Sequence, residues 1–325
     1  MKARVVRFEK AGPPDVMRLV TMDLPAVQAG EVLVRQTAIG VNYADVYIRS
    51  GFYPGPVPSG VGTEAAGVVE QVGAGVKLVK AGDRVCYQGG ASGAYADIRV
   101  LPADRLLKIP DGISDEQAAA STLKGQTVEY LLNRCYPVRS GEFVLMHAAA
   151  GGIGLVAGQW GKSLGARMIG VAGGADKCRL AAANGYEFVI DRTKEDIVER
   201  VTAITGGAMV PVVYDSIGKA TFDVSLACLG PRGFFVSFGT TTGAPPPIEA
   251  ATLQKKGSLY FTRPTLVTYT AKRADYEASG DAVFGMLAKG ALKLAINQRY
   301  RLDECVRAHA ELEGGRTTGS SILLP

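Results

Sequence analysis

Short β-like runs separated by turn residues make up the chain up to about residue 125. Val32 and Val34 fall on one face of the run 31–35, and the run 67–72 ends before Gly73 and Gly75. Many short strands with glycine and proline between them are typical of a small β-barrel. The pattern therefore predicts a barrel-like β domain over residues 1–125.

A different pattern begins near residue 125. Short apolar runs recur at 143–146, 168–171, 188–190, 212–214 and 234–238, with helical stretches between them at 153–164, 176–184, 194–204 and 219–229. Continuous apolar strands that alternate with helices indicate a parallel sheet covered by helices on both faces. We expect Gly165, Gly185, Gly206 and Gly230 to end the four helices.

The end of the chain changes pattern once more. A helix is predicted near 272–289 and a strand at 321–324, so we expect residues 266–325 to return to the first domain. The predicted fold class is thus α/β. One β-barrel domain comprises residues 1–125 and 266–325, and a doubly wound parallel-sheet domain comprises residues 126–265.

A glycine-rich turn follows the first apolar run of the second domain and opens its first helix. The segment 148–154 matches the pattern G-x-G-x-x-G, with Ala149 in the place of the first glycine. Small residues at these positions allow a tight turn, close approach of a pyrophosphate and close packing of helix on strand. The turn predicts dinucleotide binding at the helix N-terminus, by Ala150, Gly151, Gly152, Ile153 and Gly154.

The end of the second apolar run indicates which dinucleotide is bound. An acid that would bind the ribose 2′-hydroxyl of NAD is expected about 20 residues after the glycines, but Ala172 stands there. We expect Lys177 and Arg192, on loops at the carboxyl edge of the sheet, to neutralise a 2′-phosphate instead. The sequence therefore predicts NADPH rather than NADH.

Composition narrows the possible functions. Of 325 residues 41 are glycine, nearly double the usual ~7%, and without a period of three they exclude a collagen helix. Basic and acidic residues number 36 and 31. The sequence contains no basic stretch interleaved with aromatic residues, so it does not indicate binding of RNA or another nucleic acid.

Histidine and cysteine are few. Two histidines stand at 147 and 309, and five cysteines at 86, 135, 178, 228 and 305, so no short-spaced pair predicts a zinc site. The odd, scattered cysteines and the charged start at Met1-Lys2-Ala3-Arg4 indicate a reducing compartment, and we expect a cytoplasmic protein. No apolar run approaches the ~18 residues of a membrane span.

Motifs spread over nearly the whole chain carry a family resemblance. They lie at 40–42, 47–51, 60–67, 82–85, 124–127, 147–154, 213–216 and 257–264. In these segments the chain resembles the zinc-free NADPH:quinone oxidoreductases of the zeta-crystallin type, in the medium-chain dehydrogenase/reductase superfamily. The resemblance implies a GroES-like catalytic domain, a Rossmann domain, and a homodimer paired through an edge strand near 258–262.

The resemblance also explains the missing metal pattern. Zinc-dependent relatives carry a cysteine in the segment matching Asn42 to Asp45 and a Gly-His-Glu where this chain has Gly62-Thr63-Glu64. Neither ligand is present, so we expect catalysis without metal. We expect His147 to pack a turn and His309 to lie on the surface of a late helix, with neither acting as a catalytic base.

Site residues follow from the resemblance position by position. The cleft for the nicotinamide and the acceptor is expected to be lined by Asn42, Tyr47, Tyr53 and Thr127. The cofactor is expected to be surrounded by Gly173, Lys177, Arg192, Gly218, Phe238, Gly239, Thr240 and Arg263. Arg316 is the candidate for the nicotinamide end, although the family pattern places a basic residue one position earlier, at Gly315.

Three functions are consistent with these assignments. The first is NADPH-dependent reduction of a small-molecule quinone, which in this family can give semiquinones from two acceptors per NADPH. The second is reduction of an enone or enoyl thioester, with Tyr47 or Tyr53 as the proton donor. The third is NADPH binding without catalysis.

Overall fold

A computed structural model describes all 325 residues. Its strands are β1 (Lys2–Phe8), β2 (Arg18–Asp23), β3 (Glu31–Val41), β4 (Ser59–Gly60), β5 (Glu64–Val72), β6 (Arg84–Gln88), β7 (Ile98–Pro102), β8 (Leu107–Lys108), β9 (Phe143–Met146), β10 (Arg167–Ala172), β11 (Phe188–Asp191), β12 (Val210–Asp215), β13 (Leu229–Ser237), β14 (Tyr260–Thr262), β15 (Ile296–Arg301) and β16 (Ser320–Leu324).

The helices are α1 (Tyr43–Ser50), α2 (Asp115–Tyr130), α3 (Gly152–Ser163), α4 (Ala175–Ala183), α5 (Ile197–Thr205), α6 (Phe222–Ala227), α7 (Ala250–Lys255), α8 (Leu266–Tyr269), α9 (Arg273–Ala288) and α10 (Cys305–Glu313). A π-helical turn, Leu131–Cys135, continues α2. None of the helices has the length and apolarity that crossing a membrane requires.

The chain divides into two compact units. The first comprises residues 1–126, 271–289 and 294–325, and the second comprises residues 127–270 and 290–293. The expected return at residue 266 therefore comes later, at Ala271. Residues 266–270 stay with the second unit because Tyr269 stacks on Tyr130, with ring centroids 4.5 Å apart, and its carbonyl accepts a hydrogen bond from Arg134.

The first unit is built around strand β3. One sheet has the order β15-β16-β3-β5-β6-β8, with β7 also paired to β3, and a smaller sheet has the order β2-β1-β4. Val32 and Val34 lie in the main core of the unit, while Leu33 packs into a second cluster with Ala3 and Ile98. β3 is therefore buried on both faces over residues 32–34 and 38–41, and between these two apolar stretches Arg35 and Thr37 are exposed.

The second unit is a six-stranded sheet of order β11-β10-β9-β12-β13-β14, in which every neighbouring pair is parallel. Its strands bury apolar side chains such as Leu145, Ile169 and Val213. The α/β class and the doubly wound parallel sheet are confirmed. Strand order reverses between β9 and β12, where α/β proteins commonly bind ligands.

Three of the four expected helix-ending glycines adopt a left-handed backbone. Their φ angles are +77° at Gly165, +97° at Gly185 and +61° at Gly206, a conformation that glycine adopts without steric cost. Gly230 is the exception and lies inside β13. Helix α6 ends earlier than expected, at Ala227, and the chain enters the strand two residues later.

Candidate active site

The carboxyl edge of the parallel sheet collects most of the predicted cofactor residues. Because all six strands run in the same direction, the segments that follow them meet at one edge. The residues brought there are Ala150 to Gly154 after β9, Gly173 after β10, Arg192 after β11, Gly218 after β12, Phe238 to Thr240 after β13, and Arg263 after β14.

The glycine turn leaves the N-terminus of α3 open to a ligand. The amide of Gly151 bonds the Ala148 carbonyl at 2.9 Å, and α3 begins at Gly152 without a side-chain cap. A Cβ at Gly154 would lie 2.6 Å from the Ala149 carbonyl oxygen, so only glycine lets the helix start so close to the strand. The first amides of α3 are therefore available to a phosphate.

Arg192 lies next to the glycine turn that follows β10. A Cβ at Gly173 would stand 3.1 Å from Nη2 of Arg192, and the Arg192 amide bonds the Ala172 carbonyl at 3.0 Å. The guanidinium is thereby held over the end of β10, where the ribose of a dinucleotide lies in this fold. Lys177 was expected on a loop but lies in the first turn of α4.

Asp191 is not placed as an acid for the ribose. Its Oδ1 accepts hydrogen bonds from the amide of Gly174 at 2.9 Å and from the amide and hydroxyl of Thr193 at 3.0 and 2.7 Å. The Thr193 hydroxyl and these amides lower the pKa of Asp191. The carboxylate therefore fixes the two turns that contain Gly173 and Arg192.

A buried network around Asp215 was not found by the sequence analysis. The Asp215 carboxylate is fully buried and accepts from the amides of Ile217 at 2.7 Å and Gly218 at 3.1 Å. It also accepts from the hydroxyls of Thr221 at 2.6 Å and Ser225 at 2.7 Å. One carboxylate thus fixes the whole turn after β12.

His147 belongs to the same network. Its Nε2 lies 3.0 Å from the Ser225 hydroxyl, and that hydroxyl donates its one hydrogen to Asp215, so Nε2 carries a hydrogen and donates to Ser225. Burial lowers the pKa of His147, and the Asp215 charge opposes this shift. In this arrangement Ser225 cannot pass its proton to His147, so the three residues hold structure and do not form a nucleophilic triad.

Two loops pack together above this network. The amides of Thr241 and Thr242 bond the carbonyls of Ser216 and Ile217 at 3.2 and 2.9 Å. Gly218 has φ +89°, and a Cβ there would lie 3.0 Å from the Thr240 Cα. The Ser237 hydroxyl, at the end of β13, is buried without a hydrogen-bond partner. The loops after β12 and β13 are thus packed closely together, and the Ser237 hydroxyl beside them could bond a ligand.

In the first unit, α1 and the loop after it carry an aromatic cluster. The rings of Tyr47 and Tyr53 have centroids 4.9 Å apart, and Phe52 lies 5.1 Å from Tyr47. Tyr47 is 8% exposed, whereas Phe52 and Tyr53 are 45% and 40% exposed. The structure brings the two predicted tyrosines together and adds Phe52, which no motif indicated.

The other predicted residues lie on separate elements. Asn42 follows β3 and precedes α1, where its backbone N–H donates to the Asp45 carboxylate at 2.9 Å. Thr127 lies on α2 in the part that belongs to the second unit. Arg316 follows α10 in the first unit, and its Nη2 donates to the Ala310 carbonyl at 3.3 Å.

The expected surface position of His309 is wrong. His309 is completely buried, and its Nε2 lies 3.0 Å from the Tyr95 hydroxyl. Burial lowers the pKa of His309 to about 3, so the ring is neutral. No group of three or more His, Cys, Asp or Glu side chains that could hold a metal ion is brought together in the chain.

An open parallel sheet with a glycine turn where its strand order reverses defines a dinucleotide-binding α/β protein. Residues 28–111 match the alcohol dehydrogenase GroES-like domain, and residues 152–279 match the zinc-binding dehydrogenase family. The quinone oxidoreductase of Pseudomonas aeruginosa is 47% identical over 99% of this chain and 100% of its own length. The chain belongs to the quinone oxidoreductases of the medium-chain dehydrogenase/reductase superfamily.

Two further similarities bear on the site. The crystal structure of Escherichia coli quinone oxidoreductase complexed with NADPH matches with a TM-score of 0.96 and 48% identity, over 99% of this chain and 100% of that one. A 2-haloacrylate reductase from Burkholderia sp is 39% identical over 98% of both chains. The family resemblance drawn from the motifs is confirmed.

The Asp215 network generates the first prediction. In Asp215→Asn, the remaining oxygen can stay toward the amides of Ile217 and Gly218, so the NH₂ group faces the hydroxyls of Thr221 and Ser225, which lose their acceptor at about 1–3 kcal/mol each. We expect a lower melting temperature, and faster hydrogen exchange at the amides of Ile217 and Gly218 because a neutral oxygen accepts more weakly than a carboxylate. Asp223→Asn, an exposed change on α6, is the matched control. Equal behaviour of the two variants would contradict the role given to Asp215.

Proposed function

We propose that this protein reduces quinones with NADPH as the hydride donor. The observation that carries the proposal is Arg192, held over the end of β10 beside Gly173, where an NAD-binding chain would need an acid and this chain has Ala172. The quinone oxidoreductases that match over the full length of the chain support the choice of acceptor.

The residues of the second unit fit the cofactor. The open amides at the start of α3 suit the pyrophosphate, and the cations of Lys177 and Arg192 suit the 2′-phosphate. Gly218, Phe238, Gly239, Thr240 and Arg263 are proposed to lie along the rest of the dinucleotide. Arg316, which belongs to the first unit, is proposed for the nicotinamide end. The bound cofactor supplies the hydride, and the protein supplies position and exclusion of water.

The residues proposed for the acceptor are the two tyrosines of the aromatic cluster together with Asn42 and Thr127, which lie on other elements. Tyr47 and Tyr53 offer ring faces to a flat, conjugated molecule, and Asn42 and Thr127 offer hydrogen bonds to a carbonyl. A quinone is already electrophilic, so no metal is needed to polarise it. Asn42 and Thr63 stand in the segments where zinc-dependent relatives carry ligands, which supports metal-free catalysis.

Reduction of an activated double bond is the second candidate. It is supported by the identity of 39% with a protein named 2-haloacrylate reductase. This reaction requires a proton after hydride addition, and the hydroxyl of Tyr47 or Tyr53 is the proposed donor.

We also propose a cytoplasmic location, which rests on the cysteine pattern of the sequence.

We propose a homodimer that pairs through β14. β14 is the last strand of the sheet, and an open edge of this kind is commonly covered by a partner. Tyr260 on β14 is 53% exposed and stacks on Phe234 at 4.4 Å. A second copy would cover this aromatic pair.

The choice of cofactor depends on Arg192. In Arg192→Ala we expect the Kd for NADPH to rise tenfold or more, which is about 1.4 kcal/mol, because a charge-assisted contact to the 2′-phosphate is lost. The Kd for NADH should change little. Arg179→Ala removes an exposed arginine of α4 paired with Asp176 and serves as control. Tighter binding of NADH than NADPH by the wild type would overturn the assignment.

The choice of acceptor is tested with a panel. We expect NADPH oxidation with benzoquinones and naphthoquinones to exceed that with 2-alkenals and an enoyl-CoA by at least tenfold in kcat/KM. Faster reaction with the alkenals or the thioester would favour the second candidate. Tight binding of NADPH without turnover of any acceptor would favour a non-catalytic protein.

The dimer is tested by sedimentation. The wild type should sediment with twice the mass of the chain, and Tyr260→Glu should shift it toward the monomer, because a charge would be buried in the paired edge. Val72→Glu changes an exposed apolar residue at the end of β5 in the first unit and should stay dimeric. A monomeric wild type would refute the proposal.

A further inference from the structure

Asn42, Glu64 and Lys124 form a buried polar triangle in the first unit. Nζ of Lys124, on α2, lies 2.8 Å from Oδ1 of Asn42 and 3.8 Å from Oε2 of Glu64. Nδ2 of Asn42 donates to the same Oε2 at 2.8 Å. The side chains of Lys124 and Glu64 are only 7% and 0% exposed, so solvent screens this charge pair weakly.

The two charged partners fix the direction of the Asn42 amide. An ammonium group only donates hydrogen bonds, and a carboxylate only accepts them. The amide oxygen must therefore face Lys124, and the amide nitrogen must face Glu64. These contacts use one hydrogen of Nδ2 and one lone pair of Oδ1, so one of each remains on a residue that is 4% exposed.

The space around Glu64 is built for its carboxylate. Its Oε1 accepts from the amide of Leu123 at 2.6 Å, and a Cβ on Gly40 would overlap the Glu64 carboxylate. Burial raises the pKa of Glu64, and the Lys124 charge opposes this shift. Burial likewise lowers the pKa of Lys124, and the charge of Glu64 opposes it. The charge of each group thus favours the ionised form of the other.

The stability of the fold alone does not require a buried ion pair such as Lys124 and Glu64. A buried ion pair is commonly no more stable than apolar residues of the same volume, whereas removing one partner alone is costly. In some proteins, buried polar groups instead specify a geometry. Here two of the contacts end on Asn42, a residue assigned above to the acceptor.

We propose that Lys124 and Glu64 are positioning residues that turn the Asn42 amide so that its N–H donates to a carbonyl oxygen of the acceptor. This inference rests on the proposed function and deepens it. An acceptor must then place a carbonyl oxygen at Asn42, as a quinone can. The N–H stabilises the negative charge that develops on this oxygen as hydride arrives.

The test uses Lys124→Met, Glu64→Gln and the variant that combines them. Each single change leaves a partner of the triangle unmatched, so both should lower the melting temperature and kcat. The combined variant removes both charges, and its melting temperature should recover. The glutamine amide at position 64 can donate toward Asn42, which then turns its oxygen to that side. We therefore expect kcat for benzoquinone to stay about 100-fold low.

Two measurements separate positioning from folding. The Kd for NADPH should change less than threefold in all three variants, because the proposed phosphate contacts lie in the second unit. In the cofactor-free protein, the Asn42 side-chain amide should give a slowly exchanging NMR signal that is lost in the combined variant. Lys108→Met, which removes an exposed lysine paired with Asp83, should leave every readout unchanged.

The outcomes are distinct. Recovery of kcat together with the melting temperature in the combined variant would show that the pair only supports the fold, and would overturn the inference. An Asn42 signal that exchanges fast in the wild type would overturn it as well. A wild type that binds NADPH, protects the Asn42 amide and reduces no quinone would instead refute the proposed function.

Discussion

The loops at the carboxyl edge of the parallel sheet depend on the buried carboxylate of Asp215. Backbone amides that leave a strand must find partners or face water, and after β12 the amides of Ile217 and Gly218 find theirs on this side chain. The hydroxyls of Thr221 and Ser225, at the start of α6, donate to the same carboxylate. Since the loop after β13 bonds in turn to the carbonyls of Ser216 and Ile217, two loops take their position from one charge.

In the first unit, too, buried charged side chains fix the position of a polar group through hydrogen bonds. There a buried lysine and a buried glutamate hold a side-chain amide rather than a backbone turn. The two segments involved are those in which zinc-dependent relatives carry their ligands, and in this chain a fixed ammonium group lies beside them. A metal ion would place a larger charge at such a point. A lysine supplies one positive charge with directional hydrogens, which suits an acceptor that needs little activation.

Features set by local sequence could be predicted, and features set by distant pairs could not. The strand at 143–146 and the glycine turn follow from neighbouring residues, and both lie where expected. Phe52 escaped notice because an exposed aromatic residue on a loop has no periodic pattern. The burial of His309 depends on Tyr95, 214 positions away in the chain. The triangle of Asn42, Glu64 and Lys124 joins three elements, and no single motif contains it.

Lys177 and Gly230 show how boundaries limit such predictions. Lys177 was placed from the end of the second apolar run, and α4 begins at Ala175, two residues before it. Gly230 was expected to end the helix predicted at 219–229, and α6 ends at Ala227, two residues before that boundary. A shift of this size leaves the predicted alternation of strands and helices unchanged, because each apolar run still gives one strand. It does change whether a residue lies in a helix or in a loop. Functional roles assigned to residues at helix ends are therefore weaker than those assigned to glycine turns.

The division of chemistry between the two units has a consequence for specificity. Phosphate contacts through backbone amides and cations are the same for every acceptor, so they cannot select one. The aromatic faces of Tyr47 and Tyr53, proposed above for the acceptor, would select weakly, since an apolar surface discriminates a methylene by about 1–3 kcal/mol. A buried donor that must be satisfied discriminates far more strongly. If Asn42 binds the acceptor as proposed, the direction of its side-chain amide, held by Lys124 and Glu64, separates carbonyl acceptors from other electrophiles.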